Sequence, residues 1–250
     1  MIVIDCEQGT PEWKQARLSV PSASSFSKIV QPANNEYWSC GNNTCRHRKE
    51  SAAINCKKEG ARGKATFISE PEFRDSASRE QYMYQLIAES ALGHELEDFK
   101  GAWMDRGNAL EDEAADFYSL STGSDLTKVG FCLEDGRRYG ASPDRLINDD
   151  GGLEIKCLSE AEHLKCWVNK KVPDKYWTQV LGNLLVTNFE WWDFVSYHPE
   201  LGMTPPIRTT AYNVLSELRN LEKSLLKFHQ DMLDAKIKLI NDGMTVNQAA

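Results

Sequence analysis

Residues 138–157 read RYGASPDRLINDDGGLEIKC, and this stretch decides how the chain folds around its chemistry. RYGASPDRLI carries short β-prone segments, NDDGG at 148–152 is a strong turn signal, and LEIKC at 153–157 is a second strand. Side chains alternate along a strand, so Glu154 and Lys156 share one face while Leu153, Ile155 and Cys157 take the other. Asp144 ends the preceding strand and folds back across the turn toward Glu154. Two carboxylates meeting at one point repel each other unless a cation joins them, and hard oxygen donors suit Mg²⁺ or Mn²⁺. Such an ion serves phosphodiester hydrolysis, with Lys156 offsetting charge on the phosphate or orienting water. A cross-strand salt bridge with no chemistry is the competing reading.

The sequence outward from this hairpin predicts mostly alternating elements. Upstream, VGFCL at 129–133 is a strand, and a helix over about 103–120 places Gly107, Glu111, Ala114 and Tyr118 on one face. Glu111 thereby becomes a third inward acid, which needs a cation, a partner or water. Another helix spans 76–92 and stops near Gly93. Ser22, Ser24 and Ser25 precede Phe26, Ile29 and Val30 as a capped helix that the Pro32 region stops. Downstream, 174–185 reads as a helix carrying Gln179, and WWDFVSY at 191–197 as a strand. Val214, Leu218, Leu221, Leu225, Phe228, Met232, Ala235 and Leu239 recur at spacings of three and four. They define one long helix over about 211–241 that packs on the body or on a neighbouring subunit. Mixed strands and helices of this order predict an α/β or α+β core, with only the tail after Gly243 dispensable.

Length and composition set the outer limits. The 250 residues, 41% hydrophobic, suit one globular domain. A net charge of −8 argues against coating nucleic acid by bulk charge, yet leaves room for a local basic channel. Neither a long apolar run nor a signal-peptide start is present, so a cytoplasmic protein that does not enter a membrane is expected. Residues 33–72 lose periodicity and turn polar and basic, the pattern of a long loop or insertion. Arg46, Arg48, Lys49, Lys57, Lys58, Arg62 and Lys64 suit contact with a duplex or simply a solvated face, and Trp38 or Phe67 suit stacking or anchoring. Cys40, Cys45, His47 and Cys56 form C-x4-C-x-H-x8-C, which lacks the tight C-x2-C knuckle. Free thiols are therefore the preferred reading over a structural zinc site.

Several motifs together carry a family resemblance: QGTPEW with Arg17 and VPSAS near the N-terminus, Arg106-Gly107 followed by Glu111, Ser142-Pro143-Asp144 followed by Glu154-Ile155-Lys156, and YWTQVLGNLLVT at 176–187. In this order and spacing they resemble the YqaJ-type viral recombinases, the family of the phage lambda exonuclease within the PD-(D/E)XK nuclease superfamily. The resemblance implies a single nuclease domain over 1–250 with a restriction-endonuclease-like core, a central mixed sheet flanked by helices and a long C-terminal helix. It implies Mg²⁺ (or Mn²⁺) bound by Asp144, Glu154, the Ile155 carbonyl and Glu111, catalysis by Lys156, and Gln179 close to the centre. Arg17, Ser22 and Ser24 would hold a terminal 5′-phosphate.

The implied activity is 5′-to-3′ degradation of one strand of linear duplex DNA to 5′-mononucleotides by a ring-shaped homotrimer in a bacterial host cell. The 3′ overhang would pass to a single-strand annealing protein for recombination. Two readings keep the fold and change the job: an endonuclease specific for a sequence or structure, and a noncatalytic DNA-binding protein. An iron–sulfur relative would place three cysteines after the core, whereas no cysteine follows Cys166.

Overall fold

In the computed structural model the chain begins with strand β1 (Ile2–Ile4), helix α1 (Pro11–Arg17), a 3-10 turn at Ala23–Ser25 and helix α2 (Phe26–Ile29). Strands β2 (Val30–Ser39) and β3 (Thr66–Asp75) enclose helix α3 (Glu50–Ile54), and helices α4 (Arg79–Leu92) and α5 (Ala102–Thr122) follow. Five strands come next: β4 (Leu126–Thr127), β5 (Phe131–Leu133), β6 (Gly140–Ala141), β7 (Arg145–Ile147) and β8 (Gly151–Lys156). Helices α6 (Glu160–Asn169) and α7 (Asp174–Thr187) lead to β9 (Trp191–His198), β10 (Gly202–Met203), β11 (Ile207–Thr210) and the long helix α8 (Leu215–Asn241). The structure describes residues 1–42, 44–96 and 102–244, and for 102–109 the backbone alone.

The central sheet runs β10-β9-β8-β7-β4, with β11 also paired to β9. Its one parallel pair among these is β8 with β9, and helices α6 and α7 supply the crossover that parallel neighbours require. Strand β9 is buried almost throughout, which explains its near-continuous apolar sequence. The two glycines of NDDGG belong to β8 rather than to the turn, which occupies 148–150 with Asn148 at φ 51°. Gly151 and Gly152 lie opposite Trp191 and Trp192, and a Cβ on either would overlap an indole ring. Their absent side chains let the tryptophans lie on the sheet.

Helix α5 packs Ala114, Ala115 and Tyr118 against Ile147, Leu153, Ile155, Val195 and Tyr197. Buried Asp193 is satisfied by a two-pronged pair with Arg208 (2.8 and 2.9 Å) and by the Tyr118 hydroxyl (2.7 Å). Strands β1, β5 and β6 form a small antiparallel sheet. The apolar face of α8 is buried from Leu218 to Met232 and packs on α7, α4 and α2, so the helix covers the body of its own chain. Among the described residues, no helix is long and apolar enough to cross a membrane.

Two compact units form, residues 1–30 with 75–250, and residues 31–74. Of the long loop or insertion expected over 33–72, the structure contradicts only the loop: β2 and β3 pair as a two-stranded ribbon with α3 between them in sequence. Much of the ribbon is exposed on both faces, so its sequence carries no inward-outward alternation. The helix expected after Ser22 is only Phe26–Ile29 behind a 3-10 turn, because Val30 already begins β2.

Candidate functional site

The hairpin of β7 and β8 pairs Arg145 with Leu153, so Asp144, one residue before β7, stands beside the far end of β8. There its Oδ2 accepts a 2.6 Å hydrogen bond from the backbone N–H of Ile155. Glu154 is fully buried and takes three donors: Lys156 Nζ at 2.5 Å and Gln179 Nε2 at 2.6 Å on Oε1, and Asn183 Nδ2 at 2.8 Å on Oε2. Gln179 and Asn183 are four residues apart in α7 and therefore share a face, which α7 turns toward the strand ends. Asn183 escaped the sequence reading, although its spacing from Gln179 was the signal that could have found it.

Burial, followed by repulsion from Glu154, pushes the Asp144 carboxyl up to about 7, against the counter-pull of Lys156, the Ile155 N–H and Arg145. For Lys156 burial works against the charge, yet the carboxylates of Glu154 and Asp144 outweigh it and raise the ammonium above the ordinary lysine range. Lys156 is thus a fixed cation at neutral pH. Glu111 is raised by burial and by Asp144, while Arg145 pulls it down. It faces the cluster as expected of a third acid, but its Oε1 is held by Arg145 Nη1 at 2.9 Å. Arg145 also binds Asp112 and the Asp144 carbonyl, a clamp that the sequence did not reveal. Two carboxylates that repel each other, with the Ile155 carbonyl in the same strand, are a donor set that fits a hard divalent cation.

A second cluster lies on the N-terminal segment. Arg17 Nη2 donates to Ser22 Oγ at 3.0 Å, and Ser22 and Ser24 join hydroxyl to hydroxyl at 3.3 Å. The Arg17 guanidinium stacks 4.1 Å from the Trp13 ring centre, and burial lowers its pKa while Glu95 opposes the shift. Ser22 is buried and Ser24 exposed, so the group opens to solvent on one side. This segment is tied to the SPD loop: Gln8 Nε2 donates to the carbonyls of Val129 (3.0 Å) and Pro143 (2.9 Å), and Trp13 Nε1 to Ser142 Oγ (3.0 Å). Arg106 and Gly107 of the RG motif lie in α5, and the side chain of Arg106 is outside the described residues. In the 31–74 unit, the structure brings Cys40, Cys45, His47 and Cys56 together, with one ligand atom of each within 4.8 Å of the others.

Comparison with known proteins identifies the family and the fold. The model of the YqaJ-like viral recombinase domain matches residues 12–190, a span that holds every residue of the two clusters in the larger unit except Gln8. The crystal structure of LHK-Exo, an alkaline exonuclease from Laribacter hongkongensis, is similar at 25% identity and a TM-score of 0.64, covering 93% of this chain and 99% of that one. LHK-Exo in complex with dAMP gives 25% identity and a TM-score of 0.65 over the same shares. None of the curated proteins matches the sequence. The fold is that of the PD-(D/E)XK exonucleases, and both likenesses support a nuclease role in recombination. On the match over 12–190, the chain belongs to the YqaJ-like viral recombinase domain family.

Proposed function

We propose that this chain is a divalent-metal-dependent exonuclease that degrades one strand of linear duplex DNA from its 5′ end, releasing 5′-mononucleotides and leaving 3′ overhangs. The observation that carries the reading is the convergence of Asp144, Glu154, Lys156 and Gln179 at the end of the β7–β8 hairpin. It is supported by a relative of the same fold that holds dAMP, a mononucleotide.

Asp144, Glu154 and the Ile155 carbonyl would hold the ion, Mg²⁺ or Mn²⁺, with Glu111 as the further acid. When bound, the ion polarises the scissile phosphate and lowers the pKa of an attacking water. Lys156, kept protonated by its two acidic neighbours, offsets the negative charge that builds on the phosphate. Gln179 and Asn183 hold one oxygen each of Glu154 and so fix its orientation. Arg17, Ser22 and Ser24 bind the terminal 5′-phosphate, which sets the polarity of digestion.

The same reading makes the working form a homotrimeric ring around DNA ends, acting in the cytoplasm of a bacterial host beside a single-strand annealing protein. Net charge −8 is compatible with it, since a ring with an acidic exterior can carry basic side chains where DNA passes.

The test is digestion of linear duplexes labelled at either the 5′ or the 3′ end, with Mg²⁺ or EDTA, beside a covalently closed circle and the Lys156→Ala protein. Release of 5′-labelled mononucleotides only with Mg²⁺, survival of the circle and loss of activity in the variant are expected. Cutting of the circle would make the protein an endonuclease, and inertness with every divalent ion would make the cluster structural.

A further inference from the structure

Residues 31–74 form a unit too small to rest on an apolar core. Among its described residues, the buried apolar side chains are those of Cys40, Cys45 and Ala53, with Trp38, Cys56, Ala61 and Ala65 packed around them. Sulfur atoms thus occupy the place where leucines or phenylalanines would stand in a larger domain. The cysteines are not disulfide-bonded, and Cys45 and Cys56 hold their sulfurs 4.0 Å apart.

The backbone is organised around these side chains. Trp38 and His47 exchange reciprocal N–H···O=C bonds of 2.7 and 3.0 Å, which folds the intervening segment into a loop bearing Cys40 and Cys45. Gly41, at φ +88°, turns the chain directly after Cys40, and the Cys45 N–H returns to the Asn42 carbonyl at 3.2 Å. A second loop is tied to the first: the Arg62 N–H donates to the Cys40 carbonyl (2.9 Å) and Asn42 Nδ2 to the Glu59 carbonyl (2.5 Å). These ties deliver Cys56 to the other three residues.

We propose that Cys40, Cys45, His47 and Cys56 form a structural zinc site that holds the 31–74 unit together. Four thiol and imidazole donors within 4.8 Å of one another match one tetrahedral ion, for which Zn–S bonds of about 2.3 Å separate the sulfurs by about 3.8 Å. The crowding leaves no space for several irons and sulfides between the donors, which excludes a cluster. His47 buries its Nε2 with no hydrogen-bond partner, a cost that coordination of the ion by this nitrogen would remove. Three thiolates and Zn²⁺ leave one net negative charge, and the exposed Arg46, Arg48, Lys57, Lys58 and Arg62 of the same unit suit it. The C-x4-C spacing hid the site because the knuckle is closed by tertiary ties rather than by a two-residue turn.

The purified full chain, passed through EDTA to strip weakly held ions, should retain about one zinc per chain by atomic absorption. After exchange with Co²⁺ it should show thiolate-to-cobalt charge-transfer absorption and the intense d–d bands of a tetrahedral ion. Cys56→Ser and His47→Ala should lose this spectrum and admit protease within 31–74, whereas Cys6→Ser and Asp144→Ala should keep both the spectrum and the protection. Cys56 and His47 are only partly buried, so these variants do not empty the core as a Cys40 variant would. A zinc-free protein that binds no Co²⁺ through sulfur, or a Cys45–Cys56 disulfide found by mass spectrometry in place of metal, would overturn the proposal. The Asp144→Ala arm separates this outcome from any failure of the nuclease reading.

Discussion

At Asp144, burial and the Glu154 carboxylate push the pKa up to about 7 from the usual 3.8, so the native state holds this proton longer than the unfolded chain does. The sign follows: the full stability is present below about pH 4 and is lost as pH rises through about 7. Asp144→Asn keeps an acceptor for the Ile155 N–H and removes the charge. It should raise the stability of the metal-free protein at pH 8 by about 1–3 kcal/mol, with the gain vanishing near pH 4. Urea unfolding in EDTA at the two pH values measures this, and a loss at pH 8 would show that the buried charge is already compensated. The same proton competes with the ion. Apparent Mg²⁺ affinity, read by calorimetry at pH 6, 7 and 8, should fall about tenfold per unit below pH 7, and a flat profile would exclude Asp144 as a ligand. Glu154 and Lys156 were legible in the sequence from strand alternation, and Asp144 from the hairpin, although it stands before β7 rather than at that strand's end, so the β7–β8 register and not the turn itself sets it beside β8. Arg145 was not, because its pairing with Glu111 spans 34 residues and depends on how α5 crosses the sheet.

Helix α7 carries both amides of the site and touches the N-terminal segment through Gly182. A Cβ there would lie 2.7 Å from Phe26 Cδ2 and 2.8 Å from the Ala23 Cβ, inside contact distance. Gly→Ala in a helix interior gains about 1 kcal/mol of propensity, whereas overpacking a tight contact costs about 1–3 kcal/mol. Gly182→Ala should therefore destabilise the protein on balance in chemical denaturation, and a gain would mean that Phe26 swings aside freely. Elements with a strong inward stripe, α7 and α8, were readable in advance, as were β8 and β9, whose apolar residues are buried. Helix α6 was not, because it exposes Leu164, Trp167 and Val168, so its apolar residues do not mark the buried side. Strands β1 and β10 are too short for alternation to register, and the β2–β3 ribbon lacks a buried face along most of its length.

Charge is distributed unevenly over the molecule. Residues 31–74 carry eight Lys and Arg against five Asp and Glu, while the rest of the chain carries 21 against 32. An acidic protein that grips a polyanion must do so through a local surface, and the 31–74 unit is the part whose sign is right. Arg48, Lys57, Lys58 and Lys64 are all exposed and make no ion pair among the described residues, so replacing the four with Gln should leave folding within about 0.5 kcal/mol per site. If they meet the DNA backbone, each lost phosphate contact lowers the slope of log affinity against log salt by about 0.9. A fourfold Gln variant should then bind a blunt duplex more weakly at low salt, with a slope reduced by about 2–4, in anisotropy titrations with EDTA to prevent cleavage. An unchanged slope would assign these residues to a solvated face and leave the phosphate contacts to the larger unit, where Arg17 would be the first cation to test.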